Sequence, residues 1–237
     1  MLQGDYLSVL EARSEAEFRS VVVRFAQNLG FDTVSAMVVV DRLGGDFEYV
    51  TVHNTPQAYL ATFKDEKESR RDPVLQHCKR HTVPIIWNQQ TYLAHDAIEQ
   101  WEHQAFYGYR NGIAMALHMP EGRHFIIGVD RDATLPDDRA EVTRMVADLQ
   151  LFAVHAQDTA LRVLVPEPLR PERPALTPRE LDVLRWTLDG RTAREISELL
   201  GIGERTTVFH LQNAMQKLHC NSKHQAVLKA LRLGLIQ

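Results

Sequence analysis

Near the C-terminal end, the stretch GIGERTTVFHLQNAMQKL, residues 201–218, carries Arg205, Thr206, Gln212, Asn213, Gln216 and Lys217 at positions exposed on a helix. Arginine and glutamine offer the donors that match base edges, while threonine and lysine suit phosphates. Thr192 and Lys223, on the flanking segments, add a hydroxyl and an ammonium, and Arg179, Arg191 and Arg194 add further cations. These residues fit a reader of double-stranded DNA, and they equally fit the solvated polar face of a small helical packing module. Upstream, Asp72 precedes Pro73. Such a pair either caps a helix, with proline in its first turn, or offers a carboxylate to a ligand. His77, Cys78 and His81 include the four-residue spacing of a helical metal pair, but no third ligand stands nearby, and an exposed solvated helix is the expectation. No nucleophile is accompanied by a base or metal set, so the chemistry is that of binding rather than catalysis.

These residues need elements to position them. From Leu176 onward the pattern is wholly helical. Thr177-Pro178-Arg179-Glu180 is a capping box with proline at the first helical position, and Leu181, Leu184 and Leu188 lead to a stop at Gly190. A second helix spans Ala193 to Leu200, a turn Gly201-Ile202-Gly203 follows, and further helices are expected at Glu204–Leu218 and Ser222–Leu233. Helix, short glycine turn, helix is the helix-turn-helix layout. In the third helix Val208 or Phe209, Leu211, Ala214, Met215 and Leu218 form the expected buried stripe.

The upstream region alternates helices with branched runs. Ser14 and Glu17 open an amphipathic helix that ends before Gly30. Strands are expected at Thr33–Val40, Tyr49–His53, Ile113–His118 and Phe125–Val129, the last two as a hairpin through MPEGR. Helical segments at Pro56–Glu66, Pro73–Arg80, about Asp96–Tyr107 and Asp137–Leu161 lie between and after them. The expectation is an α-β-α sandwich with an antiparallel sheet, in the manner of PAS and GAF domains, followed by a four-helix module. Val163–Ala175 holds four prolines and reads as a linker. The division is therefore 1–163, a linker at 164–175, and 176–237.

The C-terminal residues LTPRELDVLRWTLDGRTAREISELLGI and ERTTVFHLQNAMQKLHCNSKHQAV resemble the LuxR family of bacterial transcription regulators, with Glu180, Leu184 and Gly190 at its hallmark positions. The resemblance implies DNA binding and assigns those three residues to the scaffold. Family members usually read Thr-Val-Lys where this chain has Thr206-Thr207-Val208. Val208 then meets a thymine methyl in place of a lysine contact, and Gln212 occupies another position that the family aims into the groove.

The N-terminal region lacks the clustered acidic residues of a phosphorylation receiver. It resembles instead the autoinducer-binding domain of quorum-sensing LuxR proteins, through Tyr59, Phe63, Asp72, Pro73, Trp87 and Gly112, with Trp101 matching an aromatic of some members. The resemblance implies an N-acyl homoserine lactone, with the Asp72 carboxylate on its amide N–H. Four positions depart from the usual pattern: Tyr59 replaces Trp, Phe63 replaces Tyr, Thr55 stands where Tyr is common, and Gly128 where Ser or Thr is common. Tyr59 retains one donor, whereas Phe63 offers only a ring face. Asp72 among these rings suits an amide donor or an amine. A different small ligand, or a domain that folds without one, remains the alternative, and the aromatics could equally be plain core.

Composition sets the remaining bounds. Hydrophobic residues at 44% and charged residues at 24% describe an ordinary globular chain, and 237 residues allow two cores. The net charge is −4 overall, yet the part from Leu176 onward carries nine Lys and Arg against six acidic residues. That basic end is the candidate for a polyanion partner. Two distant cysteines, no signal-like N-terminus and no apolar run of membrane length point to the cytosol, with no membrane association and no cofactor. The expected protein is a ligand-responsive regulator acting as a homodimer on an inverted repeat, with the long helix at Asp137–Leu161 a candidate interface.

Overall fold

Helix α2 (Glu15–Asn28) begins where a side chain can satisfy its free amides: the Ser14 hydroxyl accepts the Glu17 N–H at 3.2 Å. The Glu17 carboxylate reaches back to the Arg13 N–H at 2.7 Å, one residue earlier than a standard capping box. The computed structural model of the chain describes residues 2–41, 47–62, 71–165 and 174–237. They form two compact units, an N-terminal and a C-terminal one. The expected linker at 164–175 lies, from 166 to 173, outside the described residues, as does Phe63.

The N-terminal unit is built on five strands, β1 (Thr33–Asp41), β2 (Phe47–His53), β3 (Ile85–Trp87), β4 (Asn111–Met119) and β5 (Arg123–Arg131). Their order is β2-β1-β5-β4-β3, and every neighbouring pair is antiparallel. Alternation along the strands separates two faces. Val34, Ala36, Val38, Phe125, Ile127 and Val129 are fully buried, on the side covered by α2 and by α7 (Arg139–Leu164). There Phe25 of α2 stacks on Phe152 of α7 with ring centroids 3.9 Å apart. Burying such an aromatic contributes about 1.5–3 kcal/mol. The other face meets α4 (Pro73–Arg80), which packs on β3 and β4, with α3 (Gln57–Leu60), α5 (Gln89–Leu93) and α6 (Ile98–Ala105) nearby in sequence. This is the expected sandwich.

Three elements were not anticipated. Helix α1 (Leu2–Glu11) has a weak apolar pattern containing Gly4, but it packs along α7, where the Tyr6 hydroxyl donates to Asp148 at 3.2 Å. Strand β3 has three residues, too few to display a period, and α5 follows it after an Asn88 cap. The segment expected to be helical over Pro56–Glu66 is helical at Gln57–Leu60, with its end outside the described residues.

In the C-terminal unit, α8 (Pro178–Leu188), α9 (Ala193–Leu200), α10 (Glu204–Lys217) and α11 (Lys223–Arg232) enclose Leu184, Ala214, Leu218, Ala226, Ala230 and Ile236. Both α8 and α9 open with capping boxes, Thr177 with Glu180 and Thr192 with Glu195. Gly201 ends α9 at φ +64°, a left-handed conformation that glycine adopts without steric cost, and so sets the turn into α10.

Candidate ligand cavity and nucleic-acid interface

The outer sheet face and the shorter helices line a partly open cavity of about 150 Å³. Its floor is Ser35 and Met37 of β1, Ala114 of β4, and Ile126, Gly128 and Asp130 of β5. Strand register makes this floor continuous, because Gly128 pairs with both Ser35 and Ala114, and Met37 pairs with Ile126. Its walls are Asp72, Val74, Leu75 and Cys78 at the start of α4, Trp87, Tyr92, Gln104 and Tyr109. A larger open cleft of about 630 Å³ at Leu10, Glu11, Arg13, Glu17 and Arg162 is bounded by exposed residues on the α1, α2 and α7 side. It lacks the apolar walls that ligand sites need.

Asp72 is buried and does caps α4: one carboxylate oxygen accepts the Leu75 N–H at 2.8 Å. The other accepts the Tyr92 hydroxyl at 3.0 Å and the Gln100 amide at 2.8 Å. Burial raises its pKa, against the lowering effect of the bonds from Leu75, Tyr92 and Val74. Asp130 is pushed up to about 8, first by burial and then by the negative charge of Asp72. Burial and Asp72 also push the Cys78 thiol up to about 12, and burial raises Tyr92 and Tyr109. A cavity with two carboxyls and these neutral hydroxyls can both accept and donate hydrogen bonds.

Of the residues singled out in the sequence, Asp72, Trp87 and Gly128 line this cavity. Tyr59 and Trp101 do not. Tyr59 is buried one layer behind, its ring 4.6 Å from that of Tyr109 and 5.0 Å from that of Tyr107. Trp101 packs against the same cluster from outside, and its indole N–H donates to the Arg110 carbonyl at 3.1 Å. Thr55 neighbours the Tyr109 hydroxyl rather than the void. Gly112 acts through what it lacks: a Cβ there would lie 2.5 Å from the Val129 carbonyl oxygen and 2.6 Å from the Trp87 indole nitrogen. It is the register partner of Trp87, so the bare backbone makes room for the indole. The expected exposed character of the His77–His81 helix needs correction at Cys78, which is fully buried against the cavity because it follows Val74 by one helical turn. Sequence reasoning missed Tyr92, Gln104, Tyr109 and Asp130. None lies in a motif, and only the period-two alternation of β5 placed Asp130 on the same face as Gly128.

On α10, Arg205, Thr206, Val208, Gln212 and Gln216 are exposed, and the spacing of Arg205, Val208, Gln212 and Gln216 sets them along one face. The expected buried stripe requires correction at its start. Thr207 is 0% exposed, whereas Val208 is 37% and Phe209 56% exposed. Thr207 precedes Leu211 by four residues and Ala214 by seven, which is why it takes the inward position. Lys217, expected among the DNA contacts, is exposed and also has a partner within the unit. Its ammonium lies 2.8 Å from the buried Glu180 carboxylate and donates to the Ala175 carbonyl at 3.2 Å, tying α10 to the start of α8. The same Glu180 oxygen accepts the Thr177 N–H at 2.7 Å. The Thr192 hydroxyl donates to Glu195 at 2.9 Å within its cap. Arg191 and Arg194 face Glu195 and Glu198 at 3.6 and 3.4 Å, exposed pairs weak enough for phosphates to displace. Lys223 is exposed at the first turn of α11.

Residues 14–160 match the autoinducer binding domain, and residues 174–230 match bacterial regulatory proteins of the luxR family. The transcriptional activator protein AnoR of Acinetobacter nosocomialis is 30% identical over 238 residues, covering 99% of this chain and 98% of that protein. RpaR of Rhodopseudomonas palustris, an HTH-type quorum sensing-dependent transcriptional regulator, is 30% identical over 98% of this chain and 94% of its own. The crystal structure of Escherichia coli SdiA has the same fold, with a TM-score of 0.79 at 24% identity over 100% of this chain and 98% of that one.

Proposed function

Because the chain belongs to the LuxR family of transcription regulators, with an autoinducer-binding domain and a DNA-binding helix-turn-helix domain, we propose that it is a cytoplasmic homodimer that binds an N-acyl homoserine lactone and an inverted-repeat DNA site. The family consists of regulators rather than enzymes. The observation that carries the ligand reading is the cavity where Asp72 and Trp87 meet a floor of small and apolar residues. At about 150 Å³ it is below the ~300 Å³ at which ligand pockets usually begin, and holds about five water volumes. That size supports a short acyl chain over a long one. Homodimerisation is supported by exposed Leu151 and Val154 on α7 and exposed Leu7 and Leu10 on α1, apolar side chains on two helices that pack together. Among the described residues, no helix is long and apolar enough to cross a membrane.

The mechanism is linkage. A ligand that binds only the folded sensor stabilises it by mass action, and a dimer offers two α10 faces to half-sites about one helical turn apart. With Arg205 the sole cation on the exposed face proposed for base contact, each copy binds weakly and two copies supply the needed affinity. The test is a thermal-shift panel of lactones differing in chain length, beside aryl and amine compounds. At ~100 Kd a ligand adds about 2.7 kcal/mol, which raises the melting temperature of a unit of this size by about 5–10 °C. Absence of any lactone shift at saturation defeats the ligand class. One observation favours a second reading, a regulator that folds without ligand: Leu75, Tyr92 and Gln100 already satisfy much of Asp72. Specific DNA binding by the ligand-free chain would select it.

A further inference from the structure

A reading centred on Asp72 leaves a second carboxyl group in the cavity without a role. Asp130 follows Gly128 by two residues on the same face of β5, and its register partners are Thr33 and Gly112. Gly112 is in turn the partner of Trp87, so Asp130 stands on the cavity floor in register with Trp87, two strands away in the sheet. Tyr109 lines the same void at 9% exposure, and its hydroxyl has no partner of hydrogen-bond geometry although Thr33 and Thr55 are close. An unsatisfied buried hydroxyl is costly, so an acceptor placed there is favoured. Asp72, in contrast, has little capacity left. A carboxylate accepts about four bonds, and Leu75, Tyr92 and Gln100 already supply three, which leaves room for one N–H.

We propose that Asp130 and Tyr109 form the principal polar anchor of the ligand, both donating to one carbonyl oxygen while the ligand's N–H turns toward Asp72. This rests on the reading of the cavity as the autoinducer site. The anchor takes the place of the hydroxyl that Gly128 lacks. Asp130 serves as an acid, since burial and then the Asp72 charge push its pKa up to about 8 and leave a proton on it at neutral pH. The other groups facing it are Asp72, whose pKa burial raises against the lowering effect of its donors, and Cys78, Tyr92 and Tyr109, all of which burial pushes upward and keeps neutral. No Lys, Arg or His lines the cavity among the described residues. One acceptor opposite two donors matches a secondary amide, whose N–H and C=O point in opposite directions.

The experiment measures binding to the full-length protein by calorimetry, with three probes: N-hexanoyl-homoserine lactone, N-methylhexanamide, and N-hexyl-homoserine lactone, in which the carbonyl is gone and the nitrogen is a cationic amine. The proposal expects both carbonyl probes to bind and the amine to bind at least tenfold more weakly. Asp130→Ala and Tyr109→Phe each weaken the carbonyl probes about tenfold. Asp130→Asn, which keeps a donor, retains their affinity at pH 7 and removes the loss of affinity that the wild type suffers above pH 8. Tighter binding of the amine, abolished by Asp130→Asn, overturns the proposal in favour of a carboxylate pair for a cation. Binding of N-methylhexanamide with this Asp130 dependence, but not of the lactone, keeps the anchor and defeats the lactone reading. Failure of both carbonyl probes, or carbonyl binding indifferent to Asp130 and Tyr109, defeats the anchor.

Discussion

Adding one methyl group at Gly112 tests whether the Trp87 wall is set by the bare backbone of β4. The new Cβ would lie 2.5 Å from the Val129 carbonyl oxygen and 2.6 and 2.7 Å from two atoms of the Trp87 indole. The first neighbour is backbone of a central strand and cannot retreat without breaking the β4–β5 ladder. The second is a rigid ring that is 3% exposed, with Tyr92 edge-on at 5.8 Å behind it. Overpacking of this kind costs about 1–3 kcal/mol, and two unyielding neighbours put Gly112→Ala near the upper end. At about 2–4 °C per kcal/mol for a unit of this size, calorimetry should record the N-terminal transition about 6–12 °C lower. Displacement of the indole presses on Tyr92, which holds Asp72, so the ligand shift should fall as well. Gly128→Ala is the control on the same sheet. Its Cβ meets the Ala114 Cβ at 3.7 Å, an ordinary contact, and should change stability by less than about 1 kcal/mol. Equal melting temperatures for the two variants would refute the steric account of Gly112.

Other outcomes follow from the charges. Val208→Lys places a cation on the exposed face of α10, and should tighten DNA binding while steepening the salt dependence of log K by about one per subunit, about two for the dimer. Lys217→Met removes the partner of buried Glu180, so it should lower the melting temperature of the C-terminal unit while leaving the salt slope nearly unchanged; a slope change as large as that of Arg205→Ala would restore Lys217 to the DNA contacts. For Glu180, burial raises the pKa but the Lys217 and Thr177 bonds outweigh it and leave it lowered. Its contribution is therefore present above the ordinary carboxylate range and lost as acid titrates it in the folded state, a loss that Glu180→Gln should remove from the pH–stability profile. Asp130 has the opposite sign. Its folded pKa lies above its unfolded one, so its contribution is full below pH ~4 and declines as pH rises to about 8. Asp130→Asn should thus raise the melting temperature of the N-terminal unit relative to wild type more at pH 8 than at pH 5.

Local patterns in the chain were sufficient for whatever is decided within a few residues. Thr177-Pro178-Arg179-Glu180 cannot avoid opening a helix, because its cap, its proline and its returning carboxylate act within one turn. The alternation of Phe125 to Val129 likewise marks a strand and its buried face. The short β3 and the weakly patterned α1 were not legible, since each is held by what it packs against. The same limit explains the error at Val208 and Phe209. With a broad apolar stripe available, only the packing of α10 against α8 and α9 selects Thr207 for the interior.

The sequence by itself determined a two-part chain, an antiparallel sandwich, a helix-turn-helix and the family to which both belong, because periodicity, caps and prolines are local and survive without coordinates. Only the tertiary structure decided which polar groups share the cavity. Asp72, Tyr92, Tyr109 and Asp130 are separated by about twenty residues at each step and meet because α4, α5, the segment before β4 and strand β5 line one cavity. The reason is physical: burial and the Coulomb field of a neighbour shift a carboxyl's proton affinity, and both depend on distances through space rather than along the chain.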